Sequence, residues 1–177
     1  MKHIKIRKGT WETNSSSTHA LVIRMEMPKE LPYDDVYFDL GEFGWEQREY
    51  YDIDSRCCYL HTALFQRFVS YKNDKEKYYE YRNKITSILK EYGVVAKWKN
   101  IETITQDNFY NYYIDHADEL DDFIELVINN RELLIEWLFN NESLLVTDND
   151  NNDMEYYNEA YEHFGNKEGY VFYGKGN

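Results

Sequence analysis

The sequence predicts an α+β fold, a single domain over residues 1–177 in which a small, mostly antiparallel sheet packs with four to five helices. Three observations lead there. Short alternating runs such as "HIKIR" at 3–7, and the closing "GYVFYG" at 169–174, have the character of strands. The middle of the chain changes to apolar residues every three or four positions, the period of a helix with one buried face. The two kinds of stretch do not alternate regularly, which argues against a repeated βαβ unit. With 177 residues, 42% hydrophobic and 18% aromatic, the chain can bury a core without disulfide or metal staples.

In order, Gly9 ends the strand at 3–7, and 19–25, "HALVIRM", is the next strand, joined to the first as a basic hairpin within residues 1–30. Pro28 and Pro32 break the chain before a third strand over 33–40. Ser55 is placed to cap a helix that buries Cys58, Leu60, Leu64, Phe65, Phe68 and Val69. A second helix over 74–91 carries Tyr78, Tyr81, Ile85, Ile88 and Leu89, and Gly93 stops it. A strand follows at 94–99, and 101–113 fits no single element. Asp115 suits the N-cap of a helix with Leu120, Phe123, Ile124, Val127 and Ile128 on one face. A helix at 131–139, a strand at 143–147, a helix at 153–164 and the strand at 169–174 complete the chain.

Charge narrows the functional classes. The net charge is −13, yet residues 101–164 hold seventeen carboxylates against Arg131 alone, while 1–30 and 61–100 carry an excess of cations. The acidic helical part repels nucleic-acid phosphates, so direct DNA or RNA binding through it is disfavoured and a basic protein surface is its natural complement. No apolar stretch is long enough for a membrane span, and "MKHIKIRKG" lacks the apolar core of a signal peptide, so an intracellular protein is expected. Cys57 and Cys58 are adjacent, which suits neither a zinc pair nor a comfortable disulfide; reduced thiols are expected.

Four stretches carry candidate chemistry. In "ETNSSSTH", 12–19, Ser15, Ser16 and Ser17 with His19 read either as a self-capping turn or as a binding or catalytic loop. "YIDHADELDDFIE", 113–125, sets Asp118, Asp121, Asp122 and Glu125 along one side of a helix, with Glu132 and Glu136 continuing on the next, an electronegative docking face. Asp115 and His116 at its start are alternative acid, base or metal groups, together with Asp148 and Asp150. "DNDNNDMEYYNE", 148–159, puts Asp148, Asp150, Asn152 and Glu159 at positions 1, 3, 5 and 12 of a calcium loop, but Asp153 stands where the sharp turn wants glycine. No cofactor is required by this reading; calcium or another divalent cation at that loop is the alternative. "GEFGWE", 41–46, places Glu42 and Glu46 around Phe43 and Trp45, as paired carboxylates or as a loop with an aromatic anchor.

"RKGTWETNSSSTHALVI" resembles the opening of a group of uncharacterised proteins from bacteriophages and mobile elements of Gram-positive bacteria. "GEFGWE", "YLHTAL", "YYIDHADEL" and "TDNDND" are similar to later segments of the same group. The resemblance implies a phage-type accessory protein in the host cytoplasm and carries no catalytic residue with it. Two functions are therefore expected, of which the first, a non-enzymatic binding role, is preferred and the second is the alternative. One is an inhibitor of a bacterial defence protein, an anti-CRISPR for example, that docks its acidic face into a basic nucleic-acid groove. The other is a small hydrolase or transferase acting on a nucleotide or phosphate ester through Ser15, Ser16, Ser17 and His19 with Asp115 and His116, which requires groups about a hundred residues apart to converge.

Overall fold

Strand β1 (Ser17–Arg24) is buried along seven of its eight residues, because both of its edges and both of its faces are covered. The computed structural model describes residues 17–29, 31–44, 46–105, 111–115, 120–149 and 153–175. β1 pairs antiparallel with β7 (Leu144–Asn149) on one edge and with β8 (Tyr170–Lys175) on the other. β4 (Arg48–Tyr50) joins the far edge of β7, giving the order β4-β7-β1-β8. Strand alternation then sorts the side chains. Leu21, Ile23, Leu145 and Tyr50 enter the main core, while Ala20, Val22, Leu144 and Val146 enter a smaller cluster closed by Ala160 of helix α5 (Glu155–Phe164). The uninterrupted run Ala20–Ile23 is thus a strand buried on both sides, with apolar layers above and below.

The main core is filled from α1 (Ile53–Leu64), α2 (Lys75–Glu91), α3 (Leu120–Asn129) and α4 (Arg131–Phe139), with Trp137, Tyr78, Phe38 and Leu60 among its fully buried side chains. α1 runs on without a break into a π-helical turn, Phe65–Tyr71. Two short parallel pairs tie the connecting segments together: β2 (Asp35–Phe38) with β5 (Val95–Trp98), and β3 (Glu42–Phe43) with β6 (Tyr113–Ile114). Phe38 stacks on Trp98 with ring centroids 4.0 Å apart. A single residue, Asn130, turns α3 into α4, and its side-chain oxygen accepts from the amides of Glu132 and Leu133.

The architecture is α+β, as expected, with five α-helices and a mostly antiparallel sheet among the described residues. Several local expectations are corrected. The strand expected over 3–7 lies outside the described residues; β1 takes its two neighbours from the last third of the chain, so it is a central strand and not half of a local hairpin. Asp52, not Ser55, caps α1, its Oδ1 accepting from the Ser55 amide at 2.7 Å. The strand expected at 143–147 extends through Asp148 and Asn149, because both continue the pairing with β1. Gly93 stops α2 as expected, with φ +79° just past the helix. No described helix is long and apolar enough to cross a membrane. Both cysteines are free thiols, and burial pushes Cys58 up to about 11 and Cys57 higher still.

Candidate functional site

Three of the four stretches singled out by sequence meet at the Ser17 end of β1. Ser17 and His19 project from the face of the sheet that carries Leu21 and Ile23, and they are only 3% and 4% exposed. Opposite them β7 offers Asn149 to Ser17 and Thr147 to His19. The third contributor arrives from a distant part of the chain: Ser17 Oγ donates to Asp115 Oδ2 at 3.1 Å, across 98 residues of sequence. His19 Nε2 lies 2.9 Å from the Asp115 carbonyl oxygen. A carbonyl only accepts, so Nε2 carries the proton in this contact.

The loop "GEFGWE" explains how Asp115 is delivered. β3 and β6 pair so that the Asp115 amide donates to the Phe43 carbonyl at 2.8 Å. Gly44 follows with φ +119°, and a Cβ there would sit 2.7 Å from the Asp115 Cβ and 3.2 Å from His19 Cε1. Only glycine permits both the backbone angle and the close approach. Gly44→Ala is therefore expected to destabilise the fold by about 2 kcal/mol and to push Asp115 off Ser17, whereas Gly93→Ala, where φ is also positive but the space is open, loses about 1 kcal/mol. Thermal denaturation of the two variants side by side checks the difference.

The walls of the site are polar and aromatic. Thr147 Oγ1 donates to the Glu46 carbonyl at 2.8 Å, and Tyr50 OH donates to Glu46 Oε1. Burial, with the Glu46 carboxylate as a second cause, raises the Tyr50 phenol well above its ordinary value, so it stays a donor. Tyr59 stands beside His19 with centroids 5.9 Å apart, and burial raises its phenol too. Glu42 and Glu46 do not form a carboxylate pair: Glu42 accepts from Tyr113 OH at 2.8 Å, while Glu46 is taken by Tyr50. Asp115 directly follows β6 and offers its carboxylate to Ser17; the residues between it and Leu120 of α3, on which the expected N-cap depends, lie outside the described residues.

The fourth stretch contributes Asn149 opposite Ser17, but its first candidate ligand, Asp148, lies on the other side of the sheet. Asp148 pairs with Thr18, on the α5 face, and is fully buried. Its Oδ2 accepts from the Tyr157 amide at 2.9 Å and its Oδ1 from the Asn149 amide at 2.8 Å. Met154, the residue before α5, has no side-chain cap, so Asp148 caps the helix from β7. A strand position with both oxygens engaged does not suit the first ligand of a calcium loop, and Glu159 is exposed on α5. No group of three or more His, Cys, Asp or Glu among the described residues is arranged to hold a metal ion. Ser15, Ser16, His116, Asp118, Asp150 and Asn152 lie outside the described residues, as does the side chain of Asp121.

On the acidic face, Asp122, Glu125 and Glu132 are exposed, but Glu136 is a correction. It is 5% exposed, because α4 is buried all along Leu133–Phe139. Burial, and secondarily Glu132 one turn earlier, raises its carboxyl. It cannot present charge to a partner.

Chemically, a carboxylate that accepts a serine hydroxyl can take that proton as the oxygen attacks an electrophile. The imidazole here holds the backbone of the carboxylate residue, so the order differs from a Ser-His-Asp relay, in which the ring stands between the other two. Sequence reading flags Ser17, His19 and Asp115 but misses Gly44, Tyr50 and Thr147; the two glycines within "GEFG" are the one signal of a tight approach, and nothing marks Thr147. No protein-family model, no curated protein and no solved structure matches this chain.

Proposed function

We propose that the Ser17, His19 and Asp115 centre is the working site of a small hydrolase or transferase acting on a nucleotide or phosphate ester. The observation that carries the reading is the Ser17 Oγ to Asp115 Oδ2 hydrogen bond, made across 98 residues by two segments that share no local reason to meet. In this reading Ser17 Oγ bonds to phosphorus as the ester oxygen leaves. Asp115 takes the Ser17 proton and returns it to the departing alkoxide; water or an acceptor alcohol then releases the phosphoryl group.

Ser17→Ala and Asp115→Asn are each expected to lower turnover of a panel of phosphomonoesters and nucleotides by about 100-fold, the usual scale of a lost nucleophile or base. Wild-type protein that turns over none of the panel, or variants as active as wild type, would reject the assignment.

One observation favours a second reading. Arg131, the sole cation of residues 101–164, is tied to Glu91 of α2 at 2.7 Å, while Asp122 and Glu125 on α3 and Glu132 on α4 stay exposed. Three carboxylates so placed suit docking on a basic groove of a bacterial defence protein, the phage-type inhibitor role. Charge reversal at these positions would then abolish complex formation at low salt while leaving phosphoester turnover untouched.

A further inference from the structure

Gln66 is 3% exposed and uses both ends of its amide on one residue. Its Oε1 accepts from the Ile114 amide at 2.6 Å, and its Nε2 donates to the Ile114 carbonyl at 3.0 Å and to Tyr71 OH at 2.8 Å. Ile114 is the last residue of β6, directly before Asp115. The other edge of this two-residue strand is held by β3, so the amide clamp and the β3 pairing grip the same backbone from two sides.

The clamp depends on the π-helical turn. Gln66 and Tyr71 are five residues apart, and in an α-helix five residues rotate a side chain by about 140°, away from its starting face. The wider i to i+5 turn returns it to the same face, where the Tyr71 hydroxyl can meet the Gln66 amide. Single π turns are uncommon and recur at functional sites. Here the turn sits where α1 would otherwise simply continue, and its one buried polar side chain is aimed at the strand that delivers Asp115.

We infer that Gln66 is a positioning residue: from the π turn it fixes the backbone of Ile114, and through it the Asp115 carboxylate against Ser17 and the Asp115 carbonyl against His19. This deepens the proposed phosphoester chemistry and rests on it only for the activity readout. The sequence gives no hint of it, since "FQRFVSY" reads as ordinary helix.

The test uses Gln66→Met, which keeps the side-chain size and removes the three hydrogen bonds, and Gln66→Glu, which keeps an acceptor for the Ile114 amide. In the folded full-length chain, the imidazole nitrogen signals of His19, assigned with His19→Gln, report whether the Asp115 carbonyl has moved. Expected are a displaced His19 Nε2 signal in Gln66→Met, a smaller displacement in Gln66→Glu, and a kcat for phosphoester turnover lowered about 10- to 100-fold with KM unchanged. Tyr71→Phe, which removes one of the three Gln66 bonds and leaves the two to Ile114, is expected to fall between wild type and Gln66→Met in both readouts. A His19 signal in Gln66→Met identical to wild type overturns the inference; if that variant does not fold, an unshifted signal in Gln66→Glu does so. Failure of Ser17→Ala to affect turnover would instead sink the phosphoester reading while leaving the His19 measurement valid.

Discussion

Replacing Arg56 with Met is expected to lower the unfolding free energy by about 3–4 kcal/mol. The guanidinium is 2% exposed and serves as a hub for backbone carbonyls. Nη1 donates to Trp137 O at 2.6 Å, Ser143 O at 2.7 Å and Asn140 O at 2.9 Å, while Nη2 donates to Tyr51 O at 3.0 Å and Nε to Asp52 O at 3.4 Å. Trp137 and Asn140 stand at the C-terminal end of α4, where carbonyls lack helical partners and the helix dipole favours a cation. Burial lowers the Arg56 pKa to about 10, so the group is still charged at neutral pH. Removing it relieves that desolvation but strands several buried acceptors at roughly 1 kcal/mol or more each, and the second effect wins. Arg56→Lys is expected to recover only part, because an ammonium lacks the planar fork that reaches these oxygens together. Urea denaturation reads the effect as a lower midpoint at constant slope; an unshifted midpoint would sink the prediction.

Acid is expected to destabilise the fold chiefly through His61. The ring is fully buried, with Nδ1 donating to Phe38 O at 2.8 Å and Asp39 O at 3.0 Å and Nε2 accepting from Tyr78 OH at 2.6 Å. That pattern uses a neutral imidazole. Burial lowers its pKa to about 4, with the backbone hydrogen bonds acting in the opposite direction. An unfolded chain takes the proton near 6.5, so between about pH 6.5 and 4 the unfolded state binds one proton more than the folded state. Stability should therefore fall as pH drops through that window, by about 3 kcal/mol in total. Asp39 and Asp52, whose carboxyls are lowered, add their losses only at more acidic pH; Glu136, whose carboxyl is raised, works with the opposite sign. Denaturation of wild type and His61→Gln from pH 7 to 4.5 isolates the contribution: the gap between them should narrow as pH falls. A constant gap contradicts it.

Much of the fold is legible because helices such as α4 advertise their period and Gly93 its stop. Strand neighbours are less so. β1 is apolar on both faces, a sign of a central strand, but sequence proximity favours a hairpin with 3–7, and proximity is a poor guide when the partners are β7 and β8. Asp115 shows the same limit. Its spacing to the following apolar helix says nothing of Ser17, and only the pairing of β3 with β6 brings its carboxylate there. Residue type identifies Ser17, His19 and Asp115 as able to work together; the 98-residue closure that unites them is a tertiary fact. Glu136 and Asp148 fail for a shared reason: spacing reports which side chains share a side of an element, but not whether another layer covers that side.

The central place of β1 has a consequence for biosynthesis. About 150 residues separate this strand from β8, so at roughly 5–20 residues per second of translation its last neighbour emerges about 7–30 s later. Until β7 is made "ALVI" has neither edge satisfied, and until β8 follows one edge stays open. The nascent chain thus passes through a window in which chaperone capture competes with self-association, and the centre is braced on both sides only after β8 has been made.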